Sequence, residues 1–297
     1  MNTTLLQGRL GNQLFEYAFA RAQSLADGRP CAMSEAPLAA NGISNRLDCF
    51  RLSPDVQFVK AHRLTFGQRL ALHLHARFIG GRERMLRHRR EVMLKPLFAR
   101  LGVFACEDGY TRPPRIIRGG NFLNIGFFQS ERYFKDYKDV ILDELQFRPE
   151  VKDAVRELAL QITSSPEPTC LHVRLGDYVK NPLHGVADAA YYLRALAELK
   201  RLKPSATVFL FTDDVTLVRQ QLHLDSSVTV IPSSVDEQQT MYLGSLCRNF
   251  LISNSSFSWW MQYLSQSDEK LVIAPSRWYA KPCPCDIFLK DWVLLDV

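Results

Sequence analysis

The chain has 297 residues, of which 46% are hydrophobic and 23% charged, and its 37 Lys and Arg against 31 Asp and Glu give a formal net charge of +6. This length accommodates two medium domains or one large α/β domain, and this composition excludes a disordered chain and a small disulfide scaffold. No secretory signal opens the sequence, and no apolar run reaches the roughly 18 residues of a membrane span. We therefore expect a cytoplasmic protein with reduced cysteines.

The N-terminal segment predicts a strand over Thr3 to Gln7, a glycine turn, and a helix from about Asn12 that ends at Gly28 and Pro30. Apolar residues of this helix recur with the 3.6-residue period of an amphipathic helix. A glycine turn between a strand and a helix can offer backbone N–H groups and the positive end of the helix dipole to an anion. The alternative is a glycine hinge that serves packing alone.

Basic charge is concentrated in residues 60–100, which contain eleven Lys and Arg and two Glu. The apolar pattern predicts amphipathic helices that are interrupted at Gly80 and Gly81. This segment is either a solvated basic face or a surface for peripheral contact with an anionic membrane or an acidic acceptor. No aromatic residue lies between Arg82 and Arg90 to stack on bases, so we expect no nucleic-acid partner.

From about residue 151 the sequence alternates between short apolar strands and helices, which indicates βα units on a parallel sheet. We predict strands over residues 169–173, 207–211, 228–231, 250–252 and 271–274, with helices over 151–162, 187–202, 237–247 and 256–264. The predicted Rossmann-like C-terminal domain covers residues 149–297. The preceding domain covers residues 1–148 and carries the basic helical segment as an insertion.

Four polar clusters fall at or near predicted strand ends, in residues 8–13, 172–178, 212–214 and 254–258. Ligands of parallel α/β sheets bind at the carboxyl ends of the strands, so the coincidence indicates a binding site. Because side chains alternate along a strand, His172 and Arg174 share a face, and the turn after them presents Asp177. A guanidinium can bind two phosphate oxygens, and a carboxylate can accept a hydroxyl proton. The alternative is a buried ion pair beside a core histidine.

The cluster after the predicted strand 250–252 begins a helix, so Ser255 or Ser256 is expected to cap it. The same hydroxyls and N–H groups make a second anion-binding position, with Phe257 and the following tryptophans as apolar surface for a base or sugar ring. Asp213 and Asp214 either cap the next helix or bind ring N–H groups of a nucleobase. The chain has no Asp-x-Asp motif to hold a metal. Together these features predict a metal-independent nucleotide-sugar transferase.

The sequence resembles the α-1,2-fucosyltransferases of glycosyltransferase family 11. The segments that carry the resemblance follow the family's order along nearly the whole chain: Gly8 to Ala18, Gly126 to Phe134, His172 to Tyr178, Phe211 to Asp214, Met241 to Cys247 and Asn254 to Trp260. Three departures are Arg9 and Leu175, where the family commonly has glycine and arginine, and the pair Met261-Gln262.

The resemblance implies a GT-B-like enzyme with two Rossmann-like domains and a cleft between them. It also implies GDP-β-L-fucose as donor, inversion at the anomeric carbon, no metal or other cofactor, and the 2-hydroxyl of a terminal galactose on an oligosaccharide or a lipid-linked glycan as acceptor. Another nucleotide sugar, another fucosyl linkage or a catalytically silent binding module are the alternatives.

Site residues follow from the matched motifs. Arg174 would neutralise the departing phosphate, Asp177 is the first candidate for general base, and His172 is the second. The expected donor-binding residues are Gly8, Gly11, Asn12, Gln13, Arg174, Asp213, Asp214, Asn254, Ser255, Ser256 and Phe257. The expected acceptor-binding residues are Gln129, Ser130 and Trp259.

Overall fold

The computed structural model describes residues 1–114, 121–174, 185–224 and 226–297. The chain forms two compact units: unit 1 comprises Met1–Gln146 with Pro282–Phe288, and unit 2 comprises Phe147–Lys281 with Leu289–Val297. The sequence analysis assigned the whole C-terminal half to one domain, whereas residues 282–288 pack with unit 1. Asp286 makes this attachment, because its carboxylate accepts hydrogen bonds from the backbone N of Tyr110 and the guanidinium of Arg132, both at 2.8 Å.

Unit 1 contains a parallel sheet with the strand order β3-β2-β1-β5-β4. Its strands are β1 (Asn2–Leu5), β2 (Cys31–Ser34), β3 (Val56–Val59), β4 (Val103–Ala105) and β5 (Leu123–Ile125). The sequence analysis placed only β1. The other four strands have three or four residues each, too few to show an alternating pattern.

The helices of unit 1 in the described residues are α1 (Leu10–Asp27), α2 (Ala36–Ala40), α3 (Phe66–Phe78), α4 (Arg84–Arg100) and α5 (Lys138–Glu144). The first helix begins two residues before the predicted start and ends, as predicted, at Gly28, which adopts a left-handed conformation with φ of 62°. The predicted break between α3 and α4 is confirmed, and Gly81 has φ of +68° there.

Unit 2 contains a parallel sheet with the strand order β11-β10-β9-β6-β7-β8. Its strands are β6 (Pro168–Val173), β7 (Thr207–Thr212), β8 (Thr229–Val230), β9 (Asn249–Leu251), β10 (Leu271–Pro275) and β11 (Val293–Leu295). The first five match predicted strands to within three residues at each end. The short edge strand β11 was not predicted.

The helices of unit 2 in the same part of the chain are α6 (Pro149–Ala154), α7 (Arg156–Ser164), α8 (Ala189–Leu202), α9 (Val215–Leu222), α10 (Glu237–Ser245) and α11 (Ser256–Leu264). The single helix predicted over residues 151–162 is two helices, because Val155 leaves the helical conformation between them, with φ of −128° and ψ of 27°. No helix of the described residues has the length and apolarity required to cross a membrane.

Both sheets have a point at which the chain reverses its direction of strand addition. In unit 2 the chain proceeds from β6 outward to β7 and β8, then returns to add β9 on the other side of β6. In unit 1 the same reversal lies between β1 and β5. Such switch points leave a crevice outside the carboxyl ends of the strands, where ligands bind in open α/β sheets. The α/β fold with two Rossmann-like units is thus confirmed.

Candidate functional site

Three loops of unit 2 begin at the carboxyl ends of adjacent strands. Arg174 follows β6, Asp213 follows β7, and residues 252–255 connect β9 to α11. Because β6 pairs with both β7 and β9, these loops are neighbours at the switch point. We call this set the unit 2 switch edge.

Arg174 is the cationic residue of this edge in the described chain. Its side chain is 21% exposed, and its Nη2 lies 3.8 Å from Oδ2 of Asp213, whose own side chain is 54% exposed. An ion pair this exposed contributes about 0 to 1 kcal/mol to stability. A partly exposed guanidinium at a switch point can form two charge-assisted hydrogen bonds with a phosphate.

The start of α11 supplies a second electropositive element. Ser255 is the N-cap, and its Oγ accepts a hydrogen bond from the backbone N of Phe257 at 3.3 Å, so the predicted cap is confirmed. Ser256 and Phe257 are half-buried and lie in the first turn, where the helix dipole favours an anion. Asn254 is 1% exposed, and its Nδ2 donates to the carbonyl of Trp278 at 2.9 Å. This bond fixes the loop that leads into the helix.

His172 ties β6 to α11. Its Nδ1 lies 3.2 Å from Oγ of Ser253 and 2.5 Å from Oγ of Ser258, and the two hydroxyls lie 2.8 Å apart. Burial, with a smaller contribution from the charge of Arg174, lowers the pKa of His172 to about 3. A buried, weakly basic imidazole engaged by two serines is a poor proton acceptor for a substrate. These contacts favour a positioning role for His172, and its predicted role as a general base stays a prediction.

Two further residues predicted at this edge have defined positions. Oδ1 of Asp214 accepts from the backbone N of Leu217 at 2.9 Å, which confirms the helix cap. The side chain of Asp214 is exposed, and its contact with a nucleobase stays a prediction. Trp259 is fully buried, and its ring stacks on Tyr263 with centroids 4.5 Å apart. A side chain without exposed surface offers an acceptor no contact in this conformation, and the acceptor assignment of Trp259 stays a prediction that requires the ring to become exposed. Asp177 and Leu175 lie outside the described residues, and the base assignment of Asp177 stays a prediction.

The corresponding edge of unit 1 is formed by the loops after β1 and β5. Gly8 follows β1 with φ of +67°, and Asn12 lies in the first turn of α1. Gln129, after β5, donates from Nε2 to Oδ1 of Asn12 at 2.9 Å. Gly126 has φ of +146°, and a Cβ there would overlap the carbonyl of Cys106, so this loop requires glycine. We call these loops the unit 1 switch edge.

Several residues predicted to bind substrate at this edge make structural contacts. Gln13 is fully buried, and its Nε2 donates to the carbonyls of Gly8 and Ser44 at 2.9 and 3.0 Å. Its Oε1 accepts from the backbone N of Arg46 at 2.8 Å. These bonds occupy the amide of Gln13 and favour a structural role for it. Gly11 is buried within α1, and the donor-binding assignments of both residues stay predictions.

Ser130 was predicted to bind the acceptor, but it is fully buried. Its Oγ accepts from the backbone N of Arg132 at 3.3 Å and caps a short 3-10 turn. These contacts favour a structural role for Ser130, and its acceptor assignment stays a prediction. Gly8, Asn12 and Gln129 are partly exposed and keep their predicted roles as candidates.

The sequence analysis missed three residues that support the unit 2 switch edge. Ser253 contacts His172, the hydroxyl of Tyr192 accepts from the backbone N of Arg174 at 3.4 Å, and Trp278 accepts from Asn254. Ser253 immediately precedes a polar cluster that was recognised, so extending the cluster by one residue finds it. Tyr192 and Trp278 lie far from the motifs in sequence and give no such signal.

Solved structures show the class of protein that has this fold. The fucosyltransferase NodZ from Bradyrhizobium superposes with a TM-score of 0.54 at 17% identity, over 88% of this chain and 92% of that chain. The structure of FUT1 from Arabidopsis thaliana gives a TM-score of 0.50 at 11% identity, over 95% of this chain and 75% of that chain. At these identities the likeness concerns the fold alone, which is the GT-B fold of glycosyltransferases.

The family model described as "Glycosyl transferase family 11" matches residues 104–296. This match covers more than half of the chain, which therefore belongs to glycosyl transferase family 11, a family of glycosyltransferases. The resemblance found in the sequence is confirmed.

Three glycosyltransferases are similar to this chain in sequence. An alpha-1,2-colitosyltransferase from Escherichia coli is 26% identical over 98% of this chain and 97% of its own length. The O-antigen biosynthesis glycosyltransferase WbnK from Escherichia coli is 28% identical over 57% of this chain and 59% of that protein. A galactoside 2-alpha-L-fucosyltransferase from Caenorhabditis elegans is 25% identical over 49% of this chain and 43% of that protein. The chain thus spans less than two thirds of the second and third of these relatives.

Proposed function

We propose that this protein transfers L-fucose from GDP-β-L-fucose to the 2-hydroxyl of a terminal galactose, with inversion at the anomeric carbon. The observation that carries the proposal is the unit 2 switch edge, where Arg174 and the start of α11 follow the adjacent strands β6 and β9. The guanidinium and the helix start can each bind one anionic group. Together they suit a ligand with two such groups, as in a nucleoside diphosphate. The Caenorhabditis elegans relative is a galactoside 2-alpha-L-fucosyltransferase, which supports the proposed linkage and acceptor.

The same elements account for catalysis without a metal. As the bond between sugar and phosphate breaks, negative charge grows on the departing GDP. Arg174 and the N–H groups at the start of α11 would stabilise that charge where it develops, which is commonly the largest electrostatic contribution to catalysis. They supply the positive charge that a divalent cation provides in other nucleotide-sugar enzymes. Transfer activity that persists in the presence of EDTA would support this proposal.

The acceptor hydroxyl must lose a proton during transfer, and we propose Asp177 as the group that takes it. The carboxylate follows Arg174 by three positions in the matched motif. Asp177→Asn keeps the shape and removes the basicity of this side chain, so we expect a loss of kcat of about 10²- to 10⁴-fold. A near-normal kcat in Asp177→Asn would show that the proton leaves by another route, such as to phosphate or water.

A second candidate donor is GDP-colitose. The colitosyltransferase from Escherichia coli aligns with 98% of this chain, about twice the share that aligns with the Caenorhabditis elegans fucosyltransferase. Colitose is L-fucose without the 3-hydroxyl. An enzyme that hydrogen-bonds this hydroxyl rejects the deoxy sugar strongly, whereas one that packs apolar atoms there discriminates little. The ratio of kcat/KM for the two donors therefore decides between fucosyl and colitosyl transfer.

The test of the proposed function is GDP release from GDP-fucose and GDP-colitose with EDTA present. Lactose, N-acetyllactosamine and galactosyl-β-1,3-N-acetylgalactosamine serve as acceptors, and a reaction without acceptor gives the hydrolysis background. Acceptor-dependent release from GDP-fucose supports the proposal, and NMR of the product determines linkage and anomeric configuration. Measurable GDP binding without release from either donor would overturn the donor assignment.

We also propose that α3 and α4 contact an anionic membrane. Phe66 and Met93 on these helices are 83% and 67% exposed, and their segment carries the excess of basic residues. Exposed apolar side chains among basic ones match the chemistry of an anionic bilayer surface. Co-sedimentation with phosphatidylglycerol vesicles tests this. Phe66→Ser with Met93→Ser should reduce binding severalfold, whereas Leu160→Ser, which changes an exposed residue of unit 2, should not. Equal binding by all three proteins would refute the contact.

A further inference from the structure

A cluster of three side chains in unit 1 has the composition of a metal site. His88 and Glu91 lie one helical turn apart on α4, so they share a face of that helix. Cys106 directly follows β4. The imidazole nitrogen, carboxylate oxygen and thiol sulfur of these residues lie within 4.8 Å of one another. Small side-chain adjustments would bring all three to one ion.

Two of the three residues are buried, His88 is half-buried, and the cluster contains a polar atom without a hydrogen bond among the described residues. Glu91 and Cys106 are 2% and 1% exposed. Nδ1 of His88 is shielded from solvent, and within residues 1–114, 121–174, 185–224 and 226–297 it has no hydrogen-bond partner. A buried polar atom of this kind costs about 1 to 3 kcal/mol unless a water or an ion satisfies it. Its position beside a carboxylate and a thiol favours a cation.

Neighbouring groups hold the carboxylate and the thiol in place. Nε2 of His75 lies 3.1 Å from Oε1 of Glu91, and the backbone N of Glu107 donates to the other carboxylate oxygen at 3.3 Å. The hydroxyl of Tyr133 donates to Sγ of Cys106 at 3.2 Å. Outer groups that orient the ligands in this way are a regular feature of metal sites.

Of the three carboxylates near this cluster, two form ion pairs with arginines and the third, that of Glu91, does not. Arg87 pairs with Glu107 at 2.7 Å and also with Asp108, and Arg84 lies 3.3 Å from Asp108. The two guanidinium groups therefore offset the charges of Glu107 and Asp108. Glu91 contacts His75 at 3.1 Å. Among the described residues no guanidinium lies within ion-pair distance of Glu91, and the charge of Arg87 acts on it from a greater distance.

We propose that His88, Glu91 and Cys106 bind a zinc ion. Nitrogen, oxygen and thiolate ligands match the preferences of Zn²⁺. Three protein ligands leave the fourth tetrahedral position to water, as in the open sites of zinc proteins. Binding replaces the proton of the Cys106 thiol by a zinc–sulfur bond and releases that proton to solvent. The ion links α4 to the end of β4 and stabilises unit 1.

A second combination, formed by His75, Glu91 and Glu107, also lies within 4.8 Å. It is the weaker candidate because Glu107 is held by Arg87 and Nε2 of His75 already contacts Glu91. It contains no sulfur, so the two arrangements differ in a measurable spectroscopic property.

The experiment measures zinc per chain in the full-length protein after incubation with Zn²⁺ and removal of excess ion. We expect about one zinc per chain by elemental analysis, and at least a tenfold lower occupancy in His88→Ala and Cys106→Ser at equal free Zn²⁺. Cys31→Ser, which changes another buried cysteine of unit 1, and His73→Ala, which changes an exposed histidine of α3, should keep the wild-type occupancy.

Cobalt substitution in the wild-type protein keeps the proposal testable if a variant does not fold. A thiolate-to-cobalt charge-transfer band that appears on addition of Co²⁺ and disappears on addition of Zn²⁺ supports the cysteine ligand. Metal binding without this band would assign the ion to His75, Glu91 and Glu107 and overturn the proposal. A folded wild-type protein that retains no zinc would also overturn it.

Discussion

The two switch edges share a topology but differ in their polar groups. In unit 2, Arg174 and the start of α11 follow adjacent strands, whereas in unit 1 the equivalent loops carry the paired amides of Asn12 and Gln129. Each edge also has a buried side chain that ties its loops together, His172 in unit 2 and Gln13 in unit 1. The unit 2 edge therefore places a partly buried guanidinium beside a helix start, whereas in the unit 1 edge the guanidinium belongs to Arg9, an exposed residue at the N-cap of α1.

Within this comparison, the largest expected effect on activity comes from removing the guanidinium of Arg174 from the unit 2 switch edge. Arg174→Ala should lower kcat for GDP release by about 10²- to 10³-fold, because a preorganised donor to the developing phosphate charge is lost. Arg174→Lys, which keeps the charge but not the two-pronged geometry, should lose less. Acceptor-dependent GDP release measures both variants.

The matched control for Arg174→Ala is Asn12→Ala in the unit 1 switch edge, where no full charge is removed. We expect this variant to change kcat by about tenfold or less, since a neutral hydrogen bond contributes about 1 kcal/mol. Wild-type turnover in Arg174→Ala, or an equal loss in Asn12→Ala, would contradict the assignment of the anion to unit 2.

The unit 1 edge depends on close backbone approach, which a substitution can test. Gly126→Ala should lower the free energy of unfolding by about 3 kcal/mol, because φ is positive and the new Cβ overlaps the carbonyl of Cys106. Gly42→Ala has φ of +64° with open space around the position, so it should lose only about 1 to 2 kcal/mol. Denaturant unfolding measures both, and equal losses would show that the backbone of β4 yields easily.

Regular elements with strong local signals were the part of the fold that sequence could predict. Helix α11 was predicted with its observed bounds because Ser255 marks its start and an apolar segment follows. The strands of unit 1 other than β1 were missed because a buried segment such as Cys31–Ser34 is apolar or small throughout and shows no period. Residues 282–288 contact parts of unit 1 that are distant in sequence, and a pattern of neighbouring residues cannot predict such contacts.

The candidate site was predictable as a location and less so as a set of roles. The described residues of all four polar clusters lie at or just after strand ends, as expected. Burial then separates members of these clusters: Arg174 and Ser256 keep exposed surface, whereas His172 and Gln13 are buried and contact the loops. Sequence alone could not make this division because the same polar residue types bind ligands and support those that do.

The two buried tie residues differ in charge chemistry, which predicts a pH dependence specific to unit 2. The pKa of His172 is lowered to about 3 in the folded protein, against about 6.5 in an unfolded chain. The stability it supports is therefore complete above pH 6.5 and is lost as pH falls toward 3. Between pH 7 and pH 5 the loss should be about 2 kcal/mol.

Denaturant unfolding at pH 7 and pH 5 measures this loss. His172→Asn should remove it, since asparagine does not titrate, whereas His223→Asn should leave it in place. His223 is an exposed control in a left-handed conformation that asparagine also adopts. The same pH dependence in wild type and His172→Asn would show that His172 is not the buried neutral group described above.

The smallest expected effect is that of Ser255→Ala, which tests whether Ser255 contributes to anion binding in addition to capping α11. Ser255→Ala should cost about 1 kcal/mol of stability through loss of the N-cap, and it should raise KM for the donor severalfold because the helix start binds the diphosphate less well. Asp236→Ala removes the capping box of α10, an exposed cap in the same unit, and should cost similar stability with KM unchanged. Thermal unfolding and donor titrations give the two quantities separately. If Ser255→Ala loses as much stability as Asp236→Ala but its KM is unchanged, then Ser255 acts only as a helix cap. Arg174 would then be the principal contact for the phosphates.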